Sequence, residues 1–308
     1  MSERLIAIDW GTSNFRAFLV DRASGECLDS RRSDAGLRSL TSAEFPHYCD
    51  AQVGDWRQGG KVPVYLAGMV GSARGWSEAP QLDVPASAED LAANVVAAPG
   101  LDNAWIVPGL KEVRHDHVDV MRGEEIQAFG ALALVAAQSA ICCLPGTHSK
   151  WARMVNGRLV EFTTAMTGEL FHAVRFHTLP GEPAREDSSH DTDAFAQGLA
   201  AAAHPSGVLH ALFEGRSRHL YAGLEACQVS SFLSGVLIGA EVLAQKYHML
   251  KGDDVERDEA EILLIGSTSL NPLYRQALET QGIKVREIDS DSATLAGLLA
   301  LAGRHDAR

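Results

Sequence analysis

Near its start the chain carries the stretch that decides its fold, Ile6-Ala7-Ile8-Asp9-Trp10-Gly11-Thr12-Ser13-Asn14-Phe15-Arg16-Ala17. An apolar run extends from Leu5 to Ile8, a polar turn follows from Asp9 to Asn14, and a second apolar run continues from Phe15 to Val20. Two short strand-forming runs joined by a glycine-containing turn are typical of antiparallel β-strands. The sequence therefore predicts that the chain opens with a β-meander.

The same arrangement recurs in residues 141–165. An apolar run leads into the turn Pro145-Gly146-Thr147-His148-Ser149, a second run begins at Lys150, and Asn156-Gly157 is a strong hairpin signal. Gly146-Thr147 thus repeats the position of Gly11-Thr12. A chance recurrence of a common dipeptide is the alternative explanation.

Each half of the chain continues with alternating helical and strand patterns, which gives a β-β-β-α-β-α-β order twice. Such a repeat predicts two related α/β domains that face each other across a cleft. Because a helical pattern begins at Gly123, we place the boundary just before it. The predicted domains are residues 1–120 and 121–308.

Composition restricts the classes of function. The 308 residues are 46% hydrophobic, which suffices for two packed cores. A formal net charge of -13 disfavours nucleic acid and anionic membranes as partners. The five cysteines form no C-x-x-C pair, which argues against a structural zinc site and fits a reducing compartment. We expect a cytoplasmic protein without a secretory signal or a membrane span.

Both turns have the composition of a phosphate-binding site. Successive backbone N–H groups form a concavity for phosphate oxygens, glycine permits close approach, and a hydroxyl adds a donor. Asp9 could hold Mg²⁺ through water, since Mg²⁺ prefers oxygen ligands, and a cation could neutralise developing phosphate charge. For each residue alone, an ordinary hairpin turn is the alternative. The candidates are Gly11, Thr12, Ser13, Arg16, Gly146, Thr147 and Lys150.

A third segment, Leu263 to Pro272, indicates a strand, a loop of small residues and a helix. Asn271 suits the N-cap position and Pro272 the first helical position. A loop of small side chains after a strand leaves room for a flat ring against the backbone. A plain strand-to-helix turn is the alternative.

Further segments carry a resemblance to known proteins. The opening stretch resembles the first phosphate motif of sugar kinases in the actin–hexokinase superfamily. Four more specific segments resemble the 2-dehydro-3-deoxygalactonokinase family, and they are Gly68-Met69-Val70-Gly71-Ser72-Ala73-Arg74-Gly75-Trp76, Met121-Arg122-Gly123-Glu124-Glu125-Ile126-Gln127, Pro145-Gly146-Thr147-His148-Ser149-Lys150-Trp151 and Met166-Thr167-Gly168-Glu169-Leu170-Phe171. The resemblance extends from the first strand to the last helix.

The resemblance implies both a fold and a reaction. The fold is α/β, with two ribonuclease-H-like domains of the actin and hexokinase type, each a mixed five-stranded sheet with flanking helices. The reaction is transfer of a phosphoryl group from ATP to the 6-hydroxyl of 2-dehydro-3-deoxy-D-galactonate, in galactonate breakdown. The family's adenosine loop falls on Gly266, Ser267 and Leu270.

A carboxylate near the attacking hydroxyl could accept its proton. Glycerol-kinase-like relatives keep an aspartate for this at a helix start before the second phosphate hairpin, where this chain has Glu124 and Glu125. Adjacent helical residues point about 100° apart, so only one of the two should face the cleft. We predict Glu124 as the base, with Glu125 and then Asp9 as the alternatives.

The substrate is an anion, so its pocket needs a cation. Arg74 lies in the glycine-rich loop where glycerol-kinase relatives contact their polyol, and its planar fork suits a carboxylate. Trp76 could pack on the carbon chain, and Ser72 and Glu78 could bind hydroxyls. Alternatively, Arg74 is a solvated loop residue and Trp76 anchors the core. His148 could contact the γ-phosphate or brace its hairpin.

Other activities fit the same turns. A kinase for a related 2-keto-3-deoxy sugar acid, a phosphohydrolase and a non-enzymatic nucleotide switch all use this fold. ATP consumption with and without a sugar acid separates a kinase from a phosphohydrolase. Dimers are the commonest assembly, which leaves a homodimer as an open option.

Overall fold

The computed structural model describes residues 2–186, 189–249 and 261–308. By its internal contacts the chain forms two compact units. The first unit contains Met1–Ala140, Ala152–Phe162 and Ile288–Arg308, and the second contains Ile141–Trp151 and Thr163–Glu287. The division at residues 120 and 121 stays a prediction.

Strands and helices alternate along most of the chain. The strands are β1 (Arg4–Trp10), β2 (Phe15–Asp21), β3 (Cys27–Ser33), β4 (Val64–Ala67), β5 (Gln81–Asp83), β6 (Ala86–Ser87), β7 (Val96–Ala97), β8 (Ala104–Ile106), β9 (Gly109–Arg114), β10 (His117–Met121), β11 (Ala140–Leu144), β12 (Ser149–Val155), β13 (Arg158–Ala165), β14 (Glu261–Gly266) and β15 (Lys284–Asp289). The helices are α1 (Phe45–Val53), α2 (Ala88–Ala93), α3 (Glu124–Leu134), α4 (Thr167–His177), α5 (Thr192–Ala202), α6 (Gly207–Tyr221), α7 (Ala226–Met249), α8 (Asn271–Thr280) and α9 (Ser290–Asp306).

The first main sheet has the strand order β3-β2-β1-β4-β8-β7. Its first three strands form the predicted antiparallel meander, and β4 joins β1 in parallel. The register pairs Asp9 with Arg16 on one side and with Ala67 on the other. The loop that follows β4 therefore starts beside Asp9. A separate three-stranded sheet has the order β10-β9-β5.

The second main sheet has the order β15-β14-β11-β12-β13-β6. Without β6, its strands in the order β13-β12-β11-β14-β15 correspond to β3-β2-β1-β4-β8 of the first sheet. In both sheets the first strand of the meander has a parallel neighbour, β4 beside β1 and β14 beside β11. The predicted repeat is thus confirmed. Each sheet has six strands rather than five, because a two-residue edge strand, β7 or β6, is added. Such short strands leave almost no periodic pattern in a sequence.

An aromatic cluster fills the core of the first unit beneath the opening turn. Trp10 makes edge contacts with Phe15 and Phe45, with ring centroids 4.7 and 4.9 Å apart. Trp76 stacks on Phe45 at 6.3 Å. Aromatic pairs of this kind add to the free energy gained by burial. The cluster therefore anchors the ends of β1 and β2 and the loop after β4.

Helix α3 is held against α9 by a close backbone approach within the first unit. A Cβ atom at Gly130 would lie 1.8 Å from the carbonyl oxygen of Ala293, and one at Gly297 would lie 2.1 Å from that of Ile126. Only glycine fits at such a crossing. This packing fixes the axis of α3, whose first residue is Glu124.

The long helix α7 runs through the second unit. Residues 223 to 250 predict a helix interrupted near a glycine, but α7 runs without a break from Ala226 to Met249, and Leu250 lies outside the described residues. Within the part of the chain that the structure describes, α7 alone is long and apolar enough to cross a membrane. Two-thirds of its apolar window is buried in the protein, as expected for a core helix.

Candidate functional site

In the first unit, three chain segments meet at the end of β1. A Cβ atom at Gly68 would lie 2.8 Å from the carbonyl oxygen of Trp10 and 3.1 Å from Oδ1 of Asp9. A Cβ atom at Gly123 would lie 3.1 Å from the Cα of Gly68. Both glycines have positive φ angles, +96° and +111°, which other residues rarely adopt. The start of α3 is thereby brought close to Asp9.

The two glutamates at the start of α3 have different surroundings. Glu125 is 1% exposed, and both of its carboxylate oxygens accept the N–H of Gly123 at 2.8 Å. Burial, with the nearby charge of Glu124, raises the pKa of Glu125 to about 8. Glu124 is half-buried, and its Oε2 accepts the N–H of Arg122 at 3.2 Å. Of the pair, Glu124 has the more accessible carboxylate.

Asp9 forms an ion pair with Arg16, its cross-strand neighbour. The Arg16 guanidinium also donates to Oδ1 of Asp291 in the first turn of α9, at 2.7 Å. Burial opposes the charge of Arg16, yet the attraction of Asp9 and Asp291 raises its pKa. Arg32 forms an ion pair with the second oxygen of Asp291. Arg16 is therefore held at the end of β1 by carboxylates on two sides.

Two carbonyl groups of the opening turn accept hydrogen bonds from the segment that follows β3. Leu37 donates its N–H to the carbonyl of Gly11 at 3.1 Å, and Arg38 donates to that of Thr12 at 3.2 Å. Among the residues that the structure describes, the N–H groups of Thr12 and Ser13 have no hydrogen-bond acceptor. A turn with braced carbonyls and unused N–H groups has the chemistry of an anion site.

The loop after β4 holds the residues predicted to bind the substrate. Arg74 and Glu78 are exposed, and Ser72 is half-buried. Trp76 is 6% exposed and donates its Nε1–H to the carbonyl of Pro99 at 2.9 Å. Trp76 therefore anchors the core beneath the loop, which is the second of the two predicted alternatives.

Arg122 is a residue of this region that the sequence did not single out as a ligand. Its Nη2 donates to the carbonyl of Ala79 at 2.9 Å, which ties the end of the loop after β4 to the start of α3. Its Nη1 is buried with no partner among the described residues, 2.9 Å from where a Cβ atom of Gly71 would lie. Burial lowers the pKa of Arg122. Gly71 makes room for the guanidinium.

In the second unit, the start of α4 rests on the second turn. A Cβ atom at Gly168 would lie 2.5 Å from the carbonyl oxygen of Gly146. Glu169 donates its N–H to the carbonyl of Thr147 at 3.0 Å, and its Oε2 lies 2.7 Å from Nε2 of His148. His148 thus braces the turn through a side chain of α4 rather than through a backbone hydrogen bond.

Lys150 follows this turn and is almost fully buried, at 6% exposure. Its ammonium donates to Oγ1 of Thr164 at 2.7 Å. The side chain of Lys150 in β12 therefore reaches the neighbouring strand β13. Its predicted contact with phosphate stays a prediction.

A cavity of about 240 Å³ opens beside the second turn. This is several times the volume that one water molecule takes up, about 30 Å³. Its wall is mostly apolar, with Phe171, Leu270 and Leu273 among its side chains. Polar groups come from Arg175 of α4, from Tyr274 of α8 and from the serines of α7. The residues that line it include Gly146, Thr167, Gly168, Phe171, Arg175, His190, Ser230, Ser231, Ser234, Leu270, Leu273 and Tyr274.

Helix α8 begins one residue earlier than the sequence predicts. Asn271 is the first helical residue and Leu270 occupies the N-cap position. Ser267 takes over the capping, because its carbonyl accepts the N–H groups of Leu270 and Asn271 and its Oγ accepts that of Leu270. The Asn271 side chain instead packs against Gly266, where a Cβ atom would lie 2.4 Å from its Oδ1. Gly266 and Ser267 thereby shape the loop that presents Leu270 to the cavity.

A buried carboxylate lies behind the cavity. Glu241 of α7 accepts hydrogen bonds from Nε1 of Trp151 and from the hydroxyl of Tyr274, both at 2.7 Å, and from the hydroxyl of Thr167. Sequence reasoning missed this residue. Its only signal is a single charge inside the apolar stretch from Val229 to Ala244.

The predicted phosphate ligands belong to both units. The turn of Thr12 lies in the first unit and the turn of Thr147 lies in the second. That the two turns grip one triphosphate stays a prediction.

Comparison with known proteins gives matches over nearly the whole chain. The model of the 2-keto-3-deoxy-galactonokinase family matches residues 9–301. A protein of Escherichia coli (strain K12) named 2-dehydro-3-deoxygalactonokinase is 41% identical over 304 residues, which cover 98% of each chain. A crystal structure from Sinorhizobium meliloti, described as a candidate 2-dehydro-3-deoxygalactonokinase, has a TM-score of 0.88 and 36% identity, and covers 97% of this chain and 98% of the other.

A more distant structure shows the fold alone. Component A of the (R)-2-hydroxyglutaryl-CoA dehydratase from Acidaminococcus fermentans has a TM-score of 0.56 at 12% identity, over 98% of this chain and 99% of its own. The predicted fold class, α/β of the actin and hexokinase type, is confirmed. The chain belongs to the 2-keto-3-deoxy-galactonokinase family.

Proposed function

We propose that this protein transfers the γ-phosphoryl group of ATP to the 6-hydroxyl of 2-dehydro-3-deoxy-D-galactonate. The products are 2-dehydro-3-deoxy-6-phosphogalactonate and ADP. The observation that carries the proposal is the 41% identity over 98% of the chain to a relative with this enzyme name. The partners are then a sugar acid and ATP, and the compartment is the cytoplasm.

The second unit supports a nucleotide site. We place the adenosine in the cavity, with the base against Leu270, Leu273 and Phe171 and the ribose toward the hydroxyl groups of α7. A mostly apolar wall with a few placed polar groups is typical of such sites. The phosphates would then follow Gly146 and the start of α4, where a helix N-terminus favours negative charge.

The first unit supports a site for the transferred phosphoryl group. The N–H groups of Thr12 and Ser13 would bind its oxygens, and Arg16 would neutralise charge that develops in the transition state. Because Arg16 has two carboxylate partners in this structure, a phosphate would have to share it with them.

Asp9 is the residue that would hold Mg²⁺. No group of three or more His, Cys, Asp or Glu side chains is placed to hold a metal within residues 2–186, 189–249 and 261–308. Mg²⁺ keeps several waters and needs only one or two carboxylates, so a single aspartate fits. Arg16 takes Oδ2 of Asp9, and Oδ1 faces Gly68 at the end of β4. When bound, Mg²⁺ neutralises charge on the phosphates.

Glu124 is the proposed general base. In the reaction, the proton of the 6-hydroxyl passes to Glu124, the hydroxyl oxygen bonds to the γ-phosphorus, and the bond to the β-phosphate oxygen breaks to release ADP. A base must be ionised, and Glu124 lies in the first turn of α3, where a helix N-terminus favours negative charge. Glu125 suits this role less, because burial favours its protonated form.

The loop after β4 supplies the proposed sugar-acid site. Arg74, which is exposed, would bind the substrate carboxylate through its planar guanidinium. Ser72 and Glu78 would bind hydroxyl groups. Trp76 would support the loop from beneath rather than contact the substrate. Matched variants Arg74→Met and Arg286→Met, both at exposed arginines, should differ, with only the first raising the KM for the sugar acid.

The test is ADP release by the purified protein with a panel of 2-keto-3-deoxy sugar acids. We expect turnover with the galactonate-derived acid and little ADP release without an acceptor. Preference for another acid of the panel would move the assignment to a related kinase. Equal ADP release with and without acceptor would indicate a phosphohydrolase and contradict the proposal.

A further inference from the structure

Glu241 is a buried carboxylate that the proposed reaction does not use. It lies in the middle of α7 with 6% of its surface exposed. One oxygen, Oε1, accepts from the indole N–H of Trp151. The other, Oε2, accepts from the hydroxyls of Thr167 and Tyr274. Burial raises the pKa of Glu241, while the hydrogen bonds from these three donors favour its charged form.

The direction of these hydrogen bonds is fixed by their chemistry. An indole N–H can only donate, so Trp151 fixes Oε1 as an acceptor. With an ionised Glu241, the hydroxyls of Thr167 and Tyr274 must also donate. The hydroxyl of Ser149, 2.8 Å from that of Tyr274, then donates to the Tyr274 oxygen. One carboxylate thus orients four donors, directly or through Tyr274.

The four donors come from the elements that build the proposed nucleotide site. Ser149 and Trp151 follow the second turn, at the start of β12. Thr167 is the first residue of α4 and Tyr274 lies in α8, and both line the cavity. Gly168, the neighbour of Thr167, is the residue that touches Gly146. Any shift of Thr167 would therefore move α4 against the turn.

We propose that Glu241 is a positioning residue for nucleotide binding, which joins the second turn, the start of α4 and the start of α8 through one buried carboxylate. The inference rests on the proposed nucleotide site in the second unit. Glu241 touches neither nucleotide nor sugar acid. It acts through Thr167 and Tyr274, whose positions determine the wall of the cavity.

The variant that tests this role is Glu241→Gln, which keeps the volume and removes the charge. If the amide oxygen takes the place of Oε1 and keeps the bond from Trp151, the amide NH₂ replaces Oε2. Thr167 and Tyr274 can then no longer donate there. Hydrogen bonds to charged groups contribute enough that the Kd for ADP should rise about ten- to a hundredfold. The KM for the sugar acid should stay within about twofold, a split that general destabilisation would not produce.

Two further variants keep the test independent of folding. Thr167→Val and Tyr274→Phe each remove one donor and keep nearly the same shape, and each should raise the Kd for ADP. In Glu241→Gln combined with Tyr274→Phe, the effects should be clearly less than additive, because both remove the same hydrogen bond. The control is Gln245→Leu, one turn along α7 and equally buried, which should leave the Kd unchanged.

The measurement is ADP binding by titration calorimetry on folded protein, checked by thermal melting. Failure of the wild-type chain to bind ADP would contradict the proposed function. If the wild type binds ADP and Glu241→Gln binds it equally well, the positioning role is wrong. Should Glu241→Gln not fold, an unchanged Kd in both Thr167→Val and Tyr274→Phe would overturn the inference.

Discussion

Glu124 and Glu125 are neighbours in the chain and experience different electrostatic surroundings. The peptide N–H of Gly123 binds the buried Glu125, and that of Arg122 binds the more accessible Glu124. Their roles should therefore separate in variants that remove one negative charge at a time.

For Glu124→Gln we expect a fall in kcat of at least about a hundredfold, the usual contribution of a general base. The Kd for ADP should remain near the wild-type value, because we place the nucleotide in the second unit. Steady-state kinetics and calorimetry on the same preparation check both expectations. Normal turnover in this variant would rule out Glu124 as the base.

For Glu125→Gln we expect a change in how stability depends on pH. The pKa of Glu125 is raised from 4.5 to about 8 in the folded protein. Between these values the folded state keeps a proton that the unfolded state releases, so the contribution of Glu125 to stability falls as pH rises. The variant lacks this titration. The free energy of unfolding of the variant, minus that of the wild type, should therefore increase between about pH 4.5 and about pH 8. The increase should be on the order of a few kcal/mol.

Chemical denaturation at a series of pH values measures this difference. The comparison with wild type removes the effect of all other titrating groups. A constant difference across the series would mean that Glu125 titrates normally in the folded protein.

At the scale of elements, the contact between α4 and the second turn leaves no room for added volume. Gly168→Ala would place a Cβ atom 2.5 Å from the carbonyl oxygen of Gly146. We expect a loss of about 1–3 kcal/mol in the free energy of unfolding, typical of overpacking. The Kd for ADP should also rise, because α4 must move from the turn.

Gly303→Ala is the matched control, since Gly303 also lies in a helix and a Cβ atom there would meet no atom of the described residues within 4 Å. This change should raise stability by about 0.5–1 kcal/mol through lower backbone entropy in the unfolded chain. ADP binding should not change. Equal effects of the two substitutions on stability would show that the contact at Gly168 imposes no constraint.

Periodicity and turn residues predict most elements of this chain. The hairpins at Gly11 and Gly146 follow from apolar runs on either side of glycine, and the repeat of sheet order follows from them. The sequence predicts the start of α8 one residue late, because Ser267 rather than Asn271 provides the cap. The two-residue strands β6 and β7 are too short to give a pattern.

The candidate site could be predicted only where it depends on local sequence. Asp9, the two turns and the start of α3 lie in motifs that can be recognised in the chain. Glu241 could not be found in this way, because its role depends on donors up to 90 residues away that only the folded chain brings to it. Trp76 likewise is a core residue because of Trp10 and Phe45, which lie elsewhere in the sequence.

At the scale of the whole molecule, the two sheets repeat one strand order, and each carries a turn suited to phosphate. The net charge of -13 offers an anionic substrate no long-range attraction. Affinity for ATP and for a sugar acid must therefore arise from local groups, and the ones we propose are the two turns, Arg16 and Arg74. Because binding must come from local groups, the proposed function depends on few residues.

The central claim is transfer of a phosphoryl group to the 6-hydroxyl of the sugar acid. Phosphorus NMR of a reaction with ATP, Mg²⁺ and 2-dehydro-3-deoxy-D-galactonate tests it most directly. We predict a new phosphomonoester signal, coupled to the two protons on C6, that grows in step with ADP. Growth of inorganic phosphate without this ester, or no loss of ATP at all, would contradict the claim.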